Sequence, residues 1–251
     1  MTAFSHIVSL GYRCRTTQRL RDHFGFKTAF PFDWWITPLA GGVGFLRDWD
    51  AGRLYDLERL KPHRRWGRTL FIEHREYGLR LQHEFPMDLA REHVLPAWER
   101  HIAEARSRTT HLMRKFDQLD RPDRRVLFVR ELMVEEQGDL AAIAALRQAV
   151  LDRASQAQAE FLLVSPSGAK APGWRTLRID DPLKEPWTGT PAIWDAALDQ
   201  LGYSFERRVG WGETEPPPPQ EEGQGRGSKD SLHRDTAAPR PRWRGCRSRA
   251  P

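Results

Sequence analysis

Residues 125–130 read Arg-Val-Leu-Phe-Val-Arg, four apolar side chains in succession bounded by charge. A strand that is apolar on both faces must be covered on both, and such strands belong to parallel sheets whose crossover helices lie above and below. The flanking sequence supplies those helices. Upstream, Trp98, Ile102, Ala105, Thr109, Leu112, Phe116 and Leu119 alternate at spacings of four and three, with Pro96 suited to the first helical turn. Downstream, residues 138–159 have the Ala- and Leu-rich composition of a helix, and residues 161–164 and 174–179 read as further strands. Thr190 and Pro191 then open a helix over 190–201, and residues 203–209 supply a last strand. The alternation predicts an α/β fold, a Rossmann-like and mostly parallel sheet with flanking helices, in a single domain over residues 1–211.

The amino-terminal segment fits the same plan. Residues 6–11 are apolar and β-branched and end at Gly11, and residues 16–24 then place Leu20 and Phe24 on one side of a helix. Cys14 stands at the turn between them. Residues 24–46 are dense in aromatic rings, proline and glycine, which predicts irregular backbone packed by large side chains, with Leu-Ala-Gly-Gly-Val-Gly-Phe-Leu read as a turn. A short helix follows around residues 45–49, and residues 69–74 and 78–83 are expected to pair as a hairpin.

The net charge of +6 suggests a polyanionic partner until its location is checked. From Arg226 to Arg249 eight basic residues face only Asp230 and Asp235, so the excess lies in the carboxyl-terminal tail and residues 1–225 are formally neutral. The tail, residues 212–251, is rich in Pro, Gly and Arg and is expected to be disordered, with weak, sequence-blind affinity for polyanions and no specific nucleic-acid binding. Two cysteines, Cys14 and Cys246, build no disulfide framework, which fits a reducing compartment. No stretch of about 18 apolar residues and no signal-peptide pattern is visible, so a cytoplasmic protein without a membrane partner is expected. Phosphate-binding loops, dinucleotide fingerprints, zinc spacings and the nucleophile elbow are missing from the sequence, and neither cofactor nor metal is called for.

Four residues carry chemical interest. A helix start stabilises a thiolate through its exposed N–H groups, so Cys14 is either a nucleophile or a small buried side chain. His83 ends the alternating segment Leu79-Arg80-Leu81-Gln82-His83, where it would act as a base or hold a backbone group. Asp33 sits among Phe30, Phe32, Trp34 and Trp35, and a carboxylate so enclosed must be paired, must brace the loop, or must rise in pKa. Arg130, at the end of the central strand, could clamp an anionic substrate or pair internally with Asp33 or Glu131.

Together, Val8-Ser9-Leu10-Gly11-Tyr12-Arg13-Cys14, Pro31-Phe32-Asp33-Trp34, His83-Glu84-Phe85 and Val126-Leu127-Phe128-Val129-Arg130 resemble a bacterial family of unknown function described as papain-like cysteine peptidases. The resemblance covers residues 5–205. It implies Cys14 as nucleophile, His83 as base and Asp33 as acidic partner, with Asp180 and Asp195 as looser alternatives for that acid. Arg130, Trp34 and Tyr12 would meet the substrate. Glu84 stands where such relatives more often have Asp. A papain-like α+β fold is the alternative that the resemblance brings to the Rossmann-like reading. The expected activity is that of a cysteine-dependent hydrolase or acyl transferase of unknown substrate. The alternative is a non-catalytic or glycosyltransferase-associated module that binds an anionic or sugar-like ligand.

Overall fold

The computed structural model describes residues 2–81, 83–181 and 188–206. Its first strand is made in two pieces, β1 (Thr2–Phe4) and β2 (His6–Ser9), separated by Ser5. The peptide between Phe4 and Ser5 explains the break. Its carbonyl accepts from Glu206 N–H at 2.9 Å while its N–H donates to the Arg125 carbonyl at 2.9 Å, and these two groups point opposite ways. β1 accordingly pairs in parallel with β8 (Tyr203–Phe205), and β2 with β5 (Arg125–Glu131). Beyond β5 lie β6 (Gln158–Ser165) and β7 (Arg175–Arg178), both parallel to their neighbours. The result is a mostly parallel α/β sheet, as the alternation predicts. The separate helical and barrel-like halves of a papain-like protein are not what the described residues form.

The two-residue period of the strands divides the core. Ile7, Leu127, Val129, Leu162 and Val164 pack with Leu20 of α1 (Cys14–Phe24) and with Trp194 and Leu198 of α6 (Pro191–Asp199). Val8, Val126, Phe128, Phe161 and Leu163 face the other way. They join Phe45 and Leu46 of α2 (Leu39–Asp48), Phe116 of α4 (Ile102–Asp117), and Ile143 and Leu146 of α5 (Leu140–Leu151). Burying both faces of four strands in this way explains their near-continuous apolar sequence.

Two expectations are corrected. Leu39 to Leu46 is not a turn but most of α2, and the glycines that suggest a turn let the helix approach its neighbour. A Cβ at Gly41 would stand 1.9 Å from the Tyr77 carbonyl oxygen, and one at Gly44 would stand 3.1 Å from the Tyr77 ring. The main hairpin also differs. β4 (Arg68–His74) pairs along its length with β3 (Leu60–Arg65), whereas residues 78–81 add only a short antiparallel contact, with Leu81 N–H donating to Ile72 O at 2.7 Å. Between α2 and this hairpin lies the short α3 (Ala51–Leu54). The tail at 212–251 and the end of the last expected strand lie outside the described residues.

Candidate functional site

Ligand sites in parallel α/β sheets form where the strands end at their carboxyl edge. At that edge here, β2 runs through Leu10 into Gly11, whose φ of 84° is open to glycine at little cost. The space is equally restrictive, since a Cβ at Gly11 would meet Thr37 Cβ at 2.8 Å and Arg130 Nη1 at 3.2 Å. A cis peptide links Gly11 to Tyr12. Tyr12 O then accepts from Thr37 N–H at 2.9 Å, Arg13 is extended, and Cys14 begins α1. Cys14 is half-buried. No side-chain hydrogen bond caps this helix and its first turn holds no acid of its own, and the positive end of the helix dipole lies beside Cys14.

Behind the cysteine lies a buried polar cluster that the sequence reading did not single out. Arg15 donates Nε–H to Glu131 Oε1 at 2.8 Å and also reaches that oxygen through Nη2, while Thr16 donates to Oε2 at 2.6 Å. Arg15 Nη1 bonds the Asp181 carbonyl at 3.1 Å. The Asp181 carboxylate in turn accepts from Thr190 N–H at 2.8 Å and from Trp194 Nε1 at 3.1 Å. The carboxyl ends of β5 and β7 are thereby tied to the starts of α1 and α6. The signal available beforehand was the charge itself, because Glu131 ends an apolar strand and Arg15 opens the helix that follows another, where an unpaired buried ion would be costly.

Arg130 is fully buried at the end of β5. Nη1 donates to Leu10 O at 3.0 Å and Thr37 O at 2.8 Å, and Nη2 bonds Glu136 Oε1 and Oε2 at 2.9 and 2.8 Å. Glu136 closes a short 3-10 turn (Val134–Glu136) and also accepts from Leu39 N–H at 2.6 Å. Of the readings left open for Arg130, internal pairing is the one these contacts display, with Glu136 as partner. One guanidinium holds the end of β2, the aromatic loop before α2, and the segment after β5.

Asp33 is buried in that aromatic loop. Oδ2 accepts from Phe30 N–H at 3.0 Å and from Arg21 Nη2 at 2.7 Å, and Thr17 donates to Oδ1 at 3.4 Å. Burial outweighs Arg21 and these hydrogen bonds, and pushes the carboxyl up to about 6. Thr17 and Arg21 lie one and two turns along α1 from Cys14, so Asp33 fixes the loop against the helix that carries the cysteine. The neighbouring Trp34 is half-buried, with the Arg21 guanidinium 5.1 Å from its ring centroid. His83 meets the same ring edge-on at 6.4 Å. Burial first, and then Arg91, hold the imidazole below its usual range, so His83 is neutral at pH 7. The structure thus brings His83 and Arg21 to the Trp34 ring, and Arg21 to Asp33.

Tyr12 is buried, with Arg13 4.8 Å from its ring centroid. The looser acids lie elsewhere. Asp195 bonds His23 Nδ1 at 3.1 Å between α6 and α1, and Asp180 is exposed just after β7. The arrangement defines an α/β protein with a cysteine at the start of a helix on the carboxyl edge of a parallel sheet. Compared with family models, with curated proteins and with solved structures, the chain matches none.

Proposed function

We propose that the protein is a cysteine-dependent hydrolase or acyl transferase with Cys14 as nucleophile. The observation that carries this reading is the placement of Cys14 as first residue of an uncapped helix whose first turn holds no acid, at the carboxyl edge of the sheet. In this scheme His83, neutral at pH 7, takes the thiol proton, and the thiolate attacks a carbonyl carbon. The positive dipole end at the start of α1 stabilises the resulting oxyanion, the leaving group takes the proton from His83, and water or a second acceptor releases the acyl group. Asp33 acts on His83 through Trp34, because its own oxygens are committed to Arg21, Thr17 and Phe30 N–H. Trp34 and Tyr12 border the substrate, while Arg130 holds their loop. The motif resemblance supports the same residues. A module built on anion capture by Arg130 has less to stand on, since the hydrogen bonds of that guanidinium go to the fold.

Limiting iodoacetamide at neutral pH, read by mass spectrometry, tests the nucleophile. Cys14 should alkylate about tenfold faster than Cys246, and His83→Asn should remove most of that advantage. Equal rates at the two cysteines would sink the proposal.

A further inference from the structure

The formal neutrality of residues 1–225 hides one local excess of charge. The β3–β4 hairpin ends in Arg64, Arg65, Trp66, Gly67 and Arg68, all exposed. Arg65 and Arg68 stand directly opposite each other across the strands, a like-charge pairing that works against the hairpin. Among the described residues, the ion pairs around this hairpin join Lys61 and Arg80 to Glu73 and Arg59 to Glu76, and none reaches Arg64, Arg65 or Arg68. Trp66 is 85% exposed, so its ring gains little from folding. It also takes a φ of 48° beside Gly67 at 76°, the two-residue turn that Asn-Gly serves best and that a bulky side chain adopts only at a cost. Arg65 lies over the Trp66 ring at 4.1 Å.

Charge without acids, and a ring held out in water at the tip, match a partner that brings negative charge and flat apolar faces together. We infer that the β3–β4 hairpin is a binding finger for single-stranded nucleic acid, in which Arg64, Arg65 and Arg68 neutralise phosphates and a base stacks on Trp66. A duplex offers the phosphates but keeps its bases stacked inside. An anionic bilayer offers the charge, but the tip holds one apolar side chain among three arginines, too little to bury in the interface. The finger is separate from the Cys14 site in sequence and in sheet, and the inference goes beyond the proposed activity.

Anisotropy of a fluorescein-labelled oligothymidylate 20-mer, titrated with the full chain over a range of salt, reads the finger above any background from the basic tail. Trp66→Asn, which suits the turn and so preserves the hairpin, should weaken binding by about fivefold or more, while Trp66→Phe should keep most of it. Replacing all three arginines by Gln should lower the magnitude of the salt slope by about 2, from roughly 0.7 per phosphate. Ultraviolet cross-links should map to the peptide containing Trp66. Three results would overturn the inference. They are variants that bind within twofold of the original chain, a Trp66→Asn loss equally large on a duplex, and a loss seen on phosphatidylserine vesicles but not on the oligonucleotide.

Discussion

Arg130 and Glu136 pair out of water, where the attraction between the ions does not by itself repay their dehydration. What the pair contributes is position, because Leu10, Thr37, Leu39 and Met133 meet on it. Arg130→Met would strand the Glu136 charge and should destabilise the protein by about 3–5 kcal/mol, measured by urea unfolding. The double variant Arg130→Met, Glu136→Leu should recover part of that loss, though not all, because Leu39 N–H loses its acceptor. Asp33 responds to pH in a direction opposite to an ordinary surface carboxylate. Its folded pKa of about 6 lies above the ordinary value of 3.8, so between those limits the folded chain holds a proton that the unfolded chain has released. Stability from this group is therefore present below about pH 4 and lost as pH rises to about 6. Relative to Asp33→Asn, the original protein should lose on the order of 3 kcal/mol across that window, and a midpoint near 4 in the carboxyl titration would contradict the assignment.

At the scale of the element, α2 shows what glycine can conceal. Three glycines in eight residues read as a turn by propensity, since each lowers helix stability by about 1 kcal/mol relative to Ala. Packing decides otherwise, because only a helix without a Cβ at Gly41 can lie against Tyr77. Gly41→Ala should cost about 2 kcal/mol or more through that collision, whereas Gly138→Ala, where nothing lies within 4 Å, should be nearly neutral in the same unfolding measurement. Strands and helices with an unbroken hydrophobic period were legible, as β5, β6, α4 and α6 attest. β3 was not, because Leu60-Lys-Pro-His-Arg-Arg65 has no apolar alternation and contains a proline, and an edge hairpin tolerates both. The candidate site was legible in part. Cys14 shows itself by standing where a strand gives way to a helix, whereas the Arg15, Glu131 and Asp181 cluster depends on contacts across more than 100 residues, which no local pattern encodes.

At the scale of the whole molecule, the two hydrophobic clusters that sandwich the sheet draw, among the described residues, on residues 4–205. A chain ended after Arg208 should therefore unfold in one cooperative transition with nearly the melting temperature of the full chain, checked by calorimetry. A broadened or absent transition would show that the tail contributes to the core. Among the described residues no helix is long and apolar enough to cross a membrane.

The pairing of β1 with β8 joins residues 2–4 to residues 203–205. During synthesis the opening strand must therefore wait for about 200 further residues before its outer edge is covered, and closing so long a loop is slow relative to helix formation. Until then the edge offers unpaired N–H and carbonyl groups to any other extended chain. Crowded ribosomes translating this message would bring such edges together, so a chaperone that shields the first strand would raise the yield of native protein more than one that acts after release.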